Sequence, residues 1–348
     1  MVEFYMRYSK YIYLIIFIPV LLLVGYLIGT NKQIFFANDN PVSLIENEVT
    51  NKPLEIYSID NLSKADIKTG NFNLGIEIDS NDSFKSYNFD FLFHPNPEKS
   101  YKRKTTGLIN IPESNDERPI IIMLRGYVDQ EIYKTGMGTA RASEIFAENG
   151  FITVAPDFLG YADSDKEADN IFESRFQTYT TVLSLIKSLY QIDKWNDTDI
   201  FLWGHSNGGQ IALTILEIID GNFPTSLWAP VSKPFPYSIL YYTDEAEDRG
   251  KLIRSELAKF EADYNTELYS LDNYYERISA PIQIHQGTSD DAVPENWTNN
   301  LVSALEDLSL NLDYYTYPNT DHNMRPSWDT VVERDVSFYK KYKKIIKN

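Results

Sequence analysis

The segment Phe201-Leu-Trp-Gly-His-Ser-Asn-Gly-Gly-Gln-Ile-Ala-Leu213 constrains the fold more than any other part of this chain. A short apolar run that reads as a strand, Ile200–Trp203, meets an apolar run that reads as a helix, Gln210–Ile219, with Gly221 as its stop. Gly204-His205-Ser206-Asn207-Gly208 between them has the form G-x-S-x-G. Alone, that pattern is weak, because glycine and serine are common. Flanked by a strand and a helix it describes a turn so sharp that side chains at 204 and 208 would clash. Such a turn lifts Ser206 out of a sheet, at a helix N-terminus where free N–H groups favour negative charge.

The same rhythm extends along the chain. Strand-like runs lie at Tyr87–Phe93, Thr106–Ile111, Ile120–Leu124, Ile152–Ala155, Ile200–Trp203, Ser226–Trp228, Ile282–His285 and Leu312–Tyr317. After the third, helical runs alternate with them. Arg141–Asn149 ends at Gly150, and in Ile171–Ile192 apolar residues recur every three or four positions. This alternation predicts an eight-stranded, mostly parallel sheet with helices on both faces. Residues 232–275, between the sixth and seventh runs, break the rhythm with a Pro- and Tyr-rich stretch and then a charged helix. An insertion there sits above the carboxyl ends of the strands, where open α/β sheets bind ligands, and reads as a small helical cap. The alternative is a surface helix pair that touches no substrate. Residues 53–86, with alternating stretches such as LEIYSI and LGIEI, read as a small β-rich lead-in.

The N-terminus is of another kind. Tyr11–Gly29 holds 19 residues without a charge, which as a helix span roughly 28 Å, a bilayer's apolar thickness. Arg7 and Lys10 precede it. The expectation is a transmembrane signal-anchor at 11–29, a cytoplasmic N-terminus at 1–10, a polar linker at 30–52 and an extracytoplasmic remainder. A cleaved signal peptide giving a secreted form is the rival, but its apolar core is usually only about 7–15 residues, and Phe35 stands where a small residue should precede Ala37. A net charge of −18 disfavours nucleic acid as a partner. With no cysteine, disulfides, thiolate metal sites and a thiol nucleophile are excluded. No metal-protease, P-loop, dinucleotide or EF-hand pattern occurs, so no cofactor and no metal are expected.

A serine hydroxyl becomes a useful nucleophile only when a base takes its proton. The chain has four histidines. His94 lies on the first strand run, His285 inside a strand, and His205 beside Ser206, where its side chain is expected to pack away from the site. His322 remains, in the loop after the last strand, at the same sheet edge as Ser206. An imidazole base needs a carboxylate to fix its tautomer. The loop GTSDDAVP after the seventh run offers Asp290 and Asp291, whereas Asp321 is too near His322 in sequence to orient its ring. Gly126 and Tyr127, after the third run, are placed to supply a backbone N–H to an oxyanion, with Asn207 supplying the second. The Tyr127 ring either lines a pocket or simply packs.

Four motifs together resemble the catalytic domain of the prolyl oligopeptidase family: Arg125–Tyr127, the turn Pro156–Asp165, GHSNGG at the serine, and Gly287–Pro294. The likeness covers residues 87–348 and implies an α/β-hydrolase fold, with Asp290, the first aspartate of its loop, as the acid of a Ser206–Asp290–His322 triad. It further implies a serine-type peptidase acting on a small peptide, with a carboxylesterase as the alternative. Too few residues precede the domain for the β-propeller of the strict oligopeptidases; position 125 is Arg where many relatives carry His, and Ala162 replaces a common glycine. A catalytically inactive binding protein on the same fold is the contrasting class, and its mark would be a damaged triad. Oligomeric state is not readable from these residues.

Overall fold

Runs rich in β-branched and aromatic residues build one nine-stranded sheet, buried everywhere but towards its edges. Its strands are β1 (Asn71–Ser80), β2 (Phe84–Phe93), β3 (Arg103–Pro112), β4 (Arg118–Leu124), β5 (Ile152–Pro156), β6 (Trp195–His205), β7 (Thr225–Trp228), β8 (Ile282–Gly287) and β9 (Leu312–Tyr317). The computed structural model describes residues 52–219, 221–243 and 248–344. The predicted anchor at 11–29, the N-terminus at 1–10 and all but the last residue of the linker lie outside the described residues. Among the described residues, no helix is long and apolar enough to cross a membrane.

The strands lie in the order β1-β2-β3-β5-β4-β6-β7-β8-β9. β1, β2 and β3 pair antiparallel, as do β3 and β5, and every pairing from β5 to β9 is parallel. The central parallel strands read as apolar runs, Ile120–Leu124 in β4 and Phe201–Trp203 in β6, because both faces are covered. In β4, Ile120, Ile122 and Leu124 join one core cluster while Ile121 and Met123 join the other, and in β6 Leu202 parts from Phe201 and Trp203 in the same way. Helices α2 (Ala140–Glu148) and α8 (Trp328–Tyr342) cover one face, and α3 (Ile171–Ser188), α4 (Asn207–Ile219) and α7 (Glu295–Asp307) the other.

The eight predicted strands are found, and the sheet gains β1. The lead-in at 53–86 is accordingly corrected. Glu55–Tyr57 is a 3-10 turn and Ile59–Lys64 a short helix, α1, opened by Ser58, whose hydroxyl accepts from the N–H of Asn61 at 3.3 Å. Alternation in LEIYSI imitates a strand, but Tyr57, Ile59 and Leu62 are buried together against the main core. β1 extends the same sheet, and residues 84–86 already belong to β2.

Among its described residues, the insertion at 232–275 holds α5 (Tyr237–Tyr242), α6 (Lys251–Asp263) and the 3-10 turns Thr266–Tyr269 and Leu271–Asn273. Phe235, Phe260 and Tyr269 pack on Phe172 and Phe176 of α3, with Phe172–Phe260 and Phe176–Tyr269 ring centroids both at 4.9 Å. α5 instead reaches the loop after β8, where the Tyr242 hydroxyl donates to Ala292 O at 3.0 Å.

Candidate active site

Four loops meet at the carboxyl edge of the sheet, after β4, β6, β8 and β9. The loop after β6 carries Ser206, whose φ of 56° lies in the left-handed region that non-glycine residues rarely adopt. Its N–H donates to Trp228 O at 2.9 Å, and its carbonyl accepts from Val231 at 3.0 Å, so the strained turn is held from both sides. The glycines have steric reasons. A Cβ on Gly204 would lie 2.6 Å from Gly208 O, and one on Gly208 only 1.8 Å from Leu124 O. The chain can turn from β6 into α4 at this depth only if both positions lack side chains.

The loops after β8 and β9 lock into one another. Gly287 is needed because a Cβ there would sit 2.2 Å from Thr320 O, and Ser289 N–H donates to that same carbonyl at 3.0 Å. This closeness brings His322 Nδ1 to 2.8 Å from Asp290 Oδ2, with the Asp290 side chain fully buried and that of His322 17% exposed. Asp290 Oδ1 accepts from the N–H groups of Ala292 and Val293 at 2.9 and 2.8 Å. Burial pushes the Asp290 carboxyl up, but the hydrogen bonds from His322 and from those two amides outweigh it and hold the group below the ordinary carboxylate range. Asp291 is exposed, and Asp321 spends Oδ1 on the N–H groups of Asn323 and Arg325, shaping the His322 loop from within.

His205 does not turn away from the site, contrary to the expectation. Alternation along β6 puts it on the face of Trp203, beneath the His322 loop. Its Nε2 lies 2.9 Å from His322 O and the two imidazole centroids are 4.7 Å apart. Loss of water first, and the neighbouring His322 second, depress its pKa to about 4. His205 is therefore neutral near pH 7 and, facing a carbonyl, carries its proton on Nε2. His285 is a fully buried core residue, bonded to Asp335 at 2.9 Å and to the Tyr317 hydroxyl at 2.7 Å. No hydrogen bond joins Ser206 Oγ to His322 among the described residues; the elbow and the His322 loop meet through His205.

Gly126, after β4, approaches so closely that a Cβ would be 3.0 Å from that of Ser206. The N–H groups of Tyr127 and Asn207 have no hydrogen-bond partner among the described residues. Asn207 opens α4, so its N–H has no acceptor within the helix. Arg125 sets the other one. Its buried guanidinium donates to Gly126 O at 3.0 Å and to Asp157 O at 2.8 Å, between the rings of Tyr133 and Tyr161. In a trans peptide the N–H points opposite the carbonyl, so fixing Gly126 O turns the Tyr127 N–H away from Arg125. Arg125 thereby joins the Pro156–Asp165 turn, in which Ala162 holds a φ of 49°, where a glycine would rest unstrained.

A cavity of about 210 Å³ opens beside Tyr127 and Asn207, with Arg125, Tyr161, Glu167 and Arg175 among its walls. The Tyr127 ring is 76% exposed and lines it rather than packing inside. No described residue of the insertion at 232–275 lines this cavity. Among the described residues, no group of three or more His, Asp or Glu is placed to hold a metal ion.

Sequence reading missed Gln286, Arg175 and the role of His205. Gln286 is fully buried, donates to Asp290 Oδ2 at 3.2 Å and accepts from the Thr298 hydroxyl at 2.7 Å, bracing the carboxylate from below. Its place in a strand that alternates Ile282 and Ile284 with polar residues, next to the acid loop, was its signal.

Residues 139–345 match the description of the prolyl oligopeptidase family. No curated protein sequence matches the chain. Among solved structures, it resembles acetyl xylan esterase 1 from Thermoanaerobacterium sp. JW/SL YS485, at 14% identity and a TM-score of 0.60, over 83% of this chain and 94% of that one. An acetyl xylan esterase from Paenibacillus sp. R4 gives 15% identity and 0.60, over 80% and 91%. A puromycin-hydrolyzing peptidase of Mycobacterium tuberculosis gives 16% and 0.52, over 73% of this chain and 37% of that one. At these identities the likenesses establish the α/β-hydrolase fold.

Proposed function

The chain belongs to the prolyl oligopeptidase family and is a serine hydrolase, and on that premise we propose that Ser206, His322 and Asp290 cleave an ester or amide bond in a membrane-anchored enzyme. One observation carries the assignment: a fully buried Asp290 accepts from His322 Nδ1 at 2.8 Å. That bond places the proton on Nδ1 and leaves Nε2 as the base. His322 takes the Ser206 proton as Oγ attacks the carbonyl carbon. The oxyanion of the tetrahedral adduct is held by the Tyr127 and Asn207 N–H groups, which are free to receive it. His322 returns the proton to the leaving group as the acyl-enzyme forms, then draws one from the water that releases the acid.

A fluorophosphonate probe should label the protein, and peptide mapping should place the label on Ser206; Ser206→Ala should take none. Labelling that persists in Ser206→Ala, or that is absent from both proteins, would refute the assignment. Family membership favours a peptide bond. The small acyl-side cavity and the two acetyl xylan esterases among the neighbours support a second reading, a carboxylesterase with a short acyl group. Turnover of a 4-nitrophenyl ester against the anilide of the same acyl group separates the two.

A further inference from the structure

The cavity beside Tyr127 and Asn207 includes no residue of the His322 loop. In the reaction above the leaving group departs on the His322 side, so this cavity receives the acyl part of the substrate. At about 210 Å³ it is small for a ligand pocket, room for a short chain. Its walls carry the guanidinium groups of Arg125 and Arg175 and the carboxylate of Glu167, a positive balance in a chain of net charge −18.

Two of these charges are committed elsewhere. Arg125 is spent on Gly126 O and Asp157 O between two aromatic rings. Glu167 accepts from Gln130 Nε2 at 2.9 Å and from the Ser174 hydroxyl. Arg175 is different. Its guanidinium has the Gln210 amide oxygen as acceptor, where Arg125 has two carbonyls and two flanking rings; like that of Arg125, its Nε is buried without a partner, and it makes no ion pair among the described residues. The Tyr179 hydroxyl lies beside it; burial pushes this group up and Arg175 partly draws it back. A guanidinium held partly out of water with spare donors and no counter-charge is costly. A planar carboxylate entering the cavity would supply both the charge and the acceptors.

We infer that Arg175 binds a free carboxylate on the acyl chain, which makes the preferred substrates half-esters or half-amides of short dicarboxylic acids. This rests on the Ser206 reading for the direction in which substrate lies, but recognition of the anion is measurable apart from turnover. The chemistry itself is unchanged: the scissile C–O or C–N bond breaks, water supplies the new hydroxyl, and the distal carboxylate remains intact.

The test measures kcat/KM for 4-nitrophenyl half-esters of succinate, glutarate and adipate against their methyl-capped counterparts, with spontaneous hydrolysis subtracted. Calorimetric titration with free glutarate accompanies it. The wild type should favour the best charged ester by about tenfold to a hundredfold, the range of a charge-assisted pair. In Arg175→Gln the ratio should collapse towards one and glutarate binding should be lost, while Arg175→Lys keeps part of both. Esters turned over without charge preference, with glutarate binding absent or the same in Arg175→Gln, would overturn this inference and leave the hydrolase reading standing. Arg175-dependent glutarate binding without turnover of any ester would support the inference and sink the Ser206 reading instead.

Discussion

His205 shows how much one residue's environment can decide. In the unfolded chain its imidazole takes a proton near pH 6.5, while in the folded protein it stays neutral down to about pH 4. Between those values the unfolded state binds more protons, so stability falls as pH falls through this window and this residue's contribution flattens below it. His205→Gln should keep a donor for His322 O and remove that slope. Urea midpoints of wild type and variant should therefore diverge as pH is lowered from 7 to about 4, the variant losing less. Equal losses would show that His205 is not the group responsible. Asp290 does not confuse the result, because its carboxyl lies below its ordinary value of 3.8 and its stabilisation is lost only at lower pH. None of this could be read from the motif, in which His205 is a free position. The contact that matters crosses 117 residues of chain.

At the scale of elements, α4 carries the site at one end and a liability at the other. Every residue from Gly208 to Ile218 is buried, as expected of a helix enclosed between the sheet and its neighbours. Glu217 is among them, 1% exposed, with neither carboxylate oxygen hydrogen-bonded among the described residues. Burial first, then the nearby Asp272 and Glu276, drive its pKa well above 4.5. The folded protein thus keeps a proton that the unfolded chain releases, so stability is full below pH 4.5 and declines as pH rises towards the folded-state value. Glu217→Leu should stabilise by about 1–3 kcal/mol at neutral pH, the cost of an unsatisfied buried polar group, and the gain should grow with pH in denaturant titrations. A gain independent of pH would point to packing alone. The alternation of strands and helices was legible because buried parallel strands read as apolar blocks. α1 was not, since six residues carry too little periodicity to outweigh the alternation of LEIYSI, and β1 was underestimated because Leu74, Ile76 and Ile78 stand exposed at a sheet edge.

For the whole molecule, chain order and loop position sufficed to bring the aspartate pair after β8 to the edge where His322 lies, because in a parallel sheet every loop after a strand arrives at the same edge; the family resemblance then chose Asp290 over Asp291. Gln286 and Arg175 escaped because their partners are set by packing between distant loops and helices, which no local pattern encodes. The 19 residues at 11–29 carry no charge. Lys52–Asn348 forms a compact unit by itself, and the loops, strands and helices of the site all lie within it. Membrane attachment and catalysis should therefore separate. The full chain should sediment with membranes, resist carbonate extraction and dissolve in detergent. Residues 52–348 alone should be soluble and hydrolyse small esters at a kcat/KM within about threefold of the full chain, as expected when no active-site contact is lost. Protease added outside intact cells should degrade the catalytic part if Arg7 and Lys10 hold the N-terminus in the cytoplasm. A full-length product in the soluble fraction, its N-terminus mapped by sequencing to a position after residue 29, would replace the anchor with a cleaved leader and leave the chemistry at Ser206 untouched.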